Sequence, residues 1–198
     1  MAITMTIKTE QQIIASAKEY IQTLFSGDHS GHDAKHSMRV YRNAALIADT
    51  EPGCDRFVVL LAALLHDADD HKLFHTENNE NARRFLEKHQ VAQTEAICKI
   101  INGVSFSKNR GVAPKTLEGM IVQDADRLDA MGAIGIARTF AFGGAHGRSL
   151  EDSVAHFYDK LLLLKDEMNT AEGKRLAHDR HRVLQEFLEH WHEEGASR

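Results

Sequence analysis

Apolar residues recur along the chain at intervals of three and four, and no segment sustains the two-residue alternation with β-branched enrichment that a strand needs. The pattern predicts an all-α protein. A first helix is expected from about Glu10 to Phe25, where Ile13, Ala17, Ile21 and Leu24 make one apolar stripe and Gly27 follows as a stop. A second begins near Ala34. It carries His36, Val40, Ala44 and Ile47 on a single face, so His36 is expected to point into the core. The third, about Asp55 to Leu65, is apolar on every side and is therefore a helix buried all round; it stops abruptly at His66-Asp67-Ala68-Asp69-Asp70-His71-Lys72.

Further helices are expected near Asn78 to Lys88, Gln93 to Asn102 and Leu117 to Arg127, the last running on through Met131 to Gly144. Segments from Leu150 to Lys165 and from Thr170 to Glu194 close the chain. Residues 103 to 114 read as a loop. The expected architecture is one compact multi-helix unit over 1–198, with the helices after about residue 150 as a candidate small lobe.

Composition narrows the function classes. The 198 residues are 42% hydrophobic and 27% charged, a globular balance that leaves no room for a disordered chain. The 2 cysteines form no CxxC pair, which argues against a disulfide framework or a thiolate zinc site and fits a reducing cytoplasm. The N-terminal MAITMTIKTE lacks a secretory pattern and no apolar run reaches membrane-spanning length. With a formal charge of -5 and scattered Lys and Arg, duplex nucleic acid is not an expected partner, whereas a small anion drawn by a local metal is.

Two segments carry the chemistry. A carboxylate at Asp67 would face the negative end of a buried helix, and desolvating it unpaired costs several kcal/mol. Something positive is required there, either a basic side chain or a cation, and the adjacent imidazole of His66 favours the cation. The second segment, Gln123-Asp124-Ala125-Asp126-Arg127-Leu128-Asp129, packs three aspartates between apolar stretches. On a helix Asp126 and Asp129 share a side while Asp124 points elsewhere. One of the three can complete a metal site, and another can hold the ligands in place.

Together GHDAKHSMRVYRNA, ALLHDADDHK and QDADRLDAMGAIGIAR, with HFYDKLLLLKDEMNT further on, resemble the HD-domain superfamily of metal-dependent phosphohydrolases, in a branch of small single-domain bacterial members. The resemblance implies an all-α HD bundle with a central metal cleft, in which His36, His66, Asp67 and Asp126 are the ligands of one divalent cation. A mixed nitrogen and oxygen set suits Mn2+, Mg2+, Co2+, Ni2+ or Fe2+. Four protein ligands on an octahedral ion leave two positions, one for water and one for a phosphoryl oxygen.

The likeness of DADDHK to that branch further implies Asp70 as general base and Lys72 as a phosphate-neutralising cation; by position, Arg127 beside Asp126, Lys108 in the loop and His32 one turn before His36 are weaker candidate substrate contacts. His32 is equally a candidate partner for the His36 ring. The implied reaction is hydrolysis of a phosphoester or phosphoanhydride in a nucleotide-like substrate, such as a nucleoside triphosphate cut to monophosphate and pyrophosphate. Two other readings stand beside it: a non-catalytic nucleotide sensor, and a di-iron oxygenase, for which the available extra histidines, His71, His75 and His89, make a poor pattern.

Overall fold

The computed structural model describes residues 8–26, 33–71, 73–104 and 111–195. Among them the chain is all α, with no strand. The helices are α1 (Glu10–Leu24), α2 (Ala34–Ala48), α3 (Arg56–Leu65), α4 (Glu80–Lys88), α5 (Thr94–Val104), α6 (Leu117–Asp129), α7 (Gly132–Ala145), α8 (Leu150–Asp159) and α9 (Ala171–Gly195), with a 3-10 segment at Leu161–Glu167 between the last two.

Side-chain caps fix where several of these begin. Thr9 and Gln12 form a reciprocal capping box on α1. Asp55 accepts from the Val58 N–H at 3.1 Å, Thr116 from Gly119 at 3.1 Å and Ser149 from Asp152 at 3.0 Å, each worth about 1 kcal/mol. Asp33 caps α2 through the His36 N–H at 2.8 Å, so the cap that starts the helix also sets the register of the histidine.

The apolar α3 sits at the centre, packed against α1, α2, α5 and α6, with every residue from Val58 to Leu65 buried. α2 and α6 lie against one another beside it. α9 covers α6, α7 and the 3-10 segment, burying Ala177, Leu184 and Leu188.

Two sequence expectations are corrected. α6 does not continue into α7: the helix is interrupted at Ala130 and Met131, and Gly132 takes φ +65°, where its missing side chain lets Arg180 of α9 lie close. The segment from Leu150 ends as an α-helix at Asp159 instead of reaching Lys165, and the four leucines that follow wind as 3-10 helix, with Leu161 and Leu164 turned into the core.

Asp124 joins α6 to the C-terminal helix. Its carboxylate is fully buried and accepts from the Asn169 N–H at 2.9 Å, the Asn169 amide at 2.8 Å, the Thr170 N–H at 2.8 Å and the Thr170 hydroxyl at 2.8 Å. These donors sit at the start of α9, where a negative charge also complements the helix dipole. Gly173 leaves room for the carboxylate: a Cβ there would fall 2.4 Å from Asp124 Oδ2.

Candidate metal centre

Four side chains from three helices converge beside α3. α2 supplies His36, the end of α3 supplies His66 and Asp67, and α6 supplies Asp126. His36 Nε2 lies 3.1 Å from His66 Nε2, 3.3 Å from Asp67 Oδ2 and 3.4 Å from Asp126 Oδ1. His66 Nε2 is 3.4 Å from Asp67 Oδ2 and 3.8 Å from Asp126 Oδ1. Donors bound about 2.1 Å from one ion are separated by about 3.0 Å at right angles and about 3.4 Å at tetrahedral angles, so the spacings within His36, His66 and Asp67 fit a shared cation, with Asp126 facing both imidazoles.

The hydrogen bonds made by the opposite ring atoms sharpen that fit. His36 Nδ1 is 2.7 Å from Asp129 Oδ2 and His66 Nδ1 is 2.9 Å from the Ala63 carbonyl. Both acceptors require a proton on Nδ1, which leaves each neutral ring with a lone pair on Nε2. Two such lone pairs would meet at 3.1 Å beside two carboxylates, an arrangement that requires either protons or a metal ion to hold it together. The His36, His66 and Asp67 group could hold such an ion, and among the described residues it is the group of three or more donors that comes together this closely.

The cluster is buried on its nitrogen side and open on its oxygen side. The imidazoles are 2% and 3% exposed, against 16% for Asp67 and 23% for Asp126. Asp67 therefore lies at the rim of the core, better solvated than its place after an apolar helix suggests. A ligand approaching from solvent would meet the carboxylate edge first.

Protonation follows from these neighbours. Burial opposes a charge on His36, but Asp126, Asp129 and Asp67 outweigh it and hold its pKa well above the ordinary imidazole value. Burial likewise works against His66, and Asp67 foremost pushes its pKa up. For Asp126 burial favours the neutral acid, while His36 and His66 pull its pKa below the usual carboxylate range.

A pH dependence follows for protein stripped by a chelator. The raised imidazole values add stability that is complete below about pH 6.5 and is lost as pH rises through the folded pKa values. The depressed Asp126 value adds stability present above about pH 4 and lost as pH falls through the lower folded value. Stability of the stripped protein in urea is thus expected to fall on the alkaline side of neutrality. An added divalent cation is expected to counter the trend there, because ligation requires neutral imidazoles. Identical urea midpoints across neutrality in stripped protein would contradict the raised values.

The other sequence candidates fall differently. Asp70 follows Asp67 in the turn after α3, its N–H bonded to the Asp67 carbonyl at 3.1 Å, with a side chain 12% exposed and His71 Nδ1 at 3.5 Å. Arg127 is buried against Glu167, with Nη2 to Oε2 at 3.2 Å and a second contact to the Glu167 carbonyl; this pairing occupies it as a structural link, not as a free cation at the cluster. His32, Lys72 and Lys108 lie outside the described residues.

Sequence reasoning missed Arg39 and Arg138. Arg39 grips Asp129 with Nε to Oδ1 at 2.6 Å and Nη2 to Oδ2 at 3.0 Å, and Arg138 reaches Oδ2 at 2.5 Å. Burial alone would raise the Asp129 pKa, but His36 and these arginines hold it far below the usual range. Arg39 lies three residues after His36 on one helix face, a spacing that could have drawn attention to it. Arg138, on a separate helix, gave no comparable signal.

An all-helical bundle that gathers two histidines and two aspartates beside its most buried helix defines a class of metal-binding domain, and comparison with known proteins identifies it. The HD domain family matches residues 33–131, from the cap of α2 to just beyond α6. The Bacillus subtilis protein YpgQ is 40% identical over 192 residues, covering 92% of this chain and 91% of YpgQ. The crystal structure of Bacillus subtilis YpgQ in complex with ADP is similar with a TM-score of 0.82 at 33% identity, covering 96% of this chain and 98% of that one. An HD-superfamily hydrolase from Bacillus thuringiensis gives 0.78 at 38% identity over 96% of this chain and 100% of that one. The chain belongs to the HD-domain family, and its fold is that of HD-superfamily hydrolases. No helix among the described residues is long and apolar enough to cross a membrane.

Proposed function

We propose that this protein is a divalent-metal-dependent phosphohydrolase that cleaves a phosphoester or phosphoanhydride bond in a nucleotide-like substrate. The observation that carries the reading is the convergence of four donor atoms, with both histidines presenting Nε2 and both Nδ1 atoms committed to other acceptors. His36, His66, Asp67 and Asp126 would hold the ion. The mixed donor set suits Mn2+, Mg2+, Co2+, Ni2+ or Fe2+. The similarity to YpgQ, which was crystallised with ADP, supports a nucleotide as the substrate class.

A bound divalent cation supplies Lewis acidity toward a phosphoryl oxygen and lowers the pKa of water beside it. The chain's own residues do the rest. Asp70, in the turn that follows Asp67, would accept the proton released by the attacking water. Lys72 would offset charge on the phosphate, with Lys108 and His32 as further contacts to it. The carboxylate rim of the cluster, more exposed than its imidazoles, sets the side from which a phosphate enters.

A product-resolved screen of nucleoside mono-, di- and triphosphates and cyclic nucleotides with Mn2+, Mg2+ and Co2+ tests the proposal. The expected outcome is metal-stimulated release of a nucleoside monophosphate and pyrophosphate from a triphosphate. Release of inorganic phosphate would keep the reaction class and change the bond. Tight nucleotide binding without turnover in any of the three ions would favour a sensor and sink the hydrolase reading.

A further inference from the structure

Asp129 stands directly behind the His36 ring. It is almost fully buried, and it takes four donors: two from Arg39, one from Arg138 and the His36 Nδ1–H. Three of the four, from His36 Nδ1, Arg39 Nη2 and Arg138, meet on Oδ2, and Arg39 Nε donates to Oδ1, so two guanidiniums hold the carboxylate against the His36 ring. It lies on the far side of the His36 ring from Nε2, which is the atom that faces His66, Asp67 and Asp126. Its separation from the donor side decides between the two aspartates on this face of α6: Asp126 presents a donor, and Asp129 aims one.

Part of this support comes from outside the segment that matches the HD family. Arg39 lies within residues 33–131, but Arg138 belongs to α7, beyond that stretch. The same is true of Arg180 on α9, which donates to the Asn43 side chain at 2.8 Å and to the Leu128 carbonyl. Asn43 in turn donates to the Ala125 carbonyl at 3.0 Å, tying α2 to the helix that carries Asp126. The part of the chain after residue 131 thus braces both the carboxylate behind His36 and the backbone on either side of Asp126.

We infer that Asp129, clamped by Arg39 and by Arg138 from α7, is a positioning residue of the metal centre, fixing the ring and tautomer of His36 so that Nε2 is preorganised for the cation. The inference rests on the metal reading above. The clamp replaces a mobile imidazole with one held at a single angle, and it keeps the proton on the nitrogen that does not ligate. Partners of this kind behind a ligating histidine are worth about 10- to 100-fold in metal affinity.

The test is Mn2+ affinity of the full-length protein by isothermal titration calorimetry, with the visible absorption of the Co2+-substituted protein as a second readout. Asp129→Asn and Arg138→Gln are expected to bind Mn2+ about 10- to 100-fold more weakly and to alter the Co2+ bands, and Arg138→Lys, which keeps the charge, to recover most of the affinity. A merely structural role would lower the melting temperature while leaving affinity and the Co2+ spectrum of the folded protein unchanged. Affinities within about twofold of wild type in both variants, while Asp67→Ala loses binding, would overturn this inference and leave the metal centre standing. Absence of Mn2+ binding in the wild-type protein would instead overturn the metal reading itself, and this inference with it. If Asp129→Asn does not fold, the Arg138→Gln and Arg138→Lys pair decides the question, because Arg39 and His36 still satisfy Asp129 there.

Discussion

Replacing Asp67 by alanine is expected to reduce metal-stimulated hydrolysis by on the order of 10^3-fold while leaving the helical fold intact. The reduction follows from the donor count: one of two carboxylates is removed from a cluster whose remaining members are two neutral imidazoles and Asp126. Charge stabilisation by a bound cation is worth several kcal/mol, and each 1.36 kcal/mol is tenfold in rate, so losing the ion costs about three decades. The fold should survive because the Asp67 side chain is 16% exposed and sits at the rim of the core. Turnover, metal content by elemental analysis and far-UV circular dichroism together check the prediction. A folded Asp67→Ala protein that keeps its metal and retains a rate within about tenfold of wild type would remove Asp67 from the site.

The second large effect is on stability. Asp124→Ala is expected to cost about 3–5 kcal/mol, because it strands four donors in a buried position at the start of α9. For a chain of this length that corresponds to a fall in melting temperature on the order of 10 °C. Asp124→Asn keeps one acceptor oxygen but turns an amide group toward donors, so an intermediate loss is expected. Thermal melts of the three proteins check the order. Equal melting temperatures for wild type and Asp124→Ala would mean that water or a rearranged Thr170 satisfies those donors as well as the carboxylate does.

These two aspartates, with Asp126 and Asp129, show how far the sequence could be read. Helical periodicity put Asp126 and Asp129 on one side of a helix and Asp124 on another, and the structure has them so: Asp124 turns to α9, and the other two turn to His36. The same periodicity aimed His36 inward, and it is buried. Periodicity misjudged the places where backbone conformation depends on distant contacts. The break between α6 and α7 occurs at Gly132, covered by Arg180, 48 residues later in sequence; the glycine permits the break, and the packing of α9 against it is not written in the local pattern. The 3-10 turn after α8 is similarly set by how Leu161 and Leu164 reach the core.

What the sequence by itself determined is the all-helical class, the inward face of α2, the burial of α3 from Val58 to Leu65 and the donor types available at its end, since all of these depend on spacings of three and four and on residue chemistry. What only the tertiary structure decided is which atoms meet. It brought His36, His66, Asp67 and Asp126 within 3.1–3.8 Å in the measured pairs, committed Asp129 to two arginines, and gave Arg127 to Glu167. Residue 36 and residue 129 are 93 positions apart, and a side chain's partner across such a separation is fixed by how helices pack, not by the letters on either side of it.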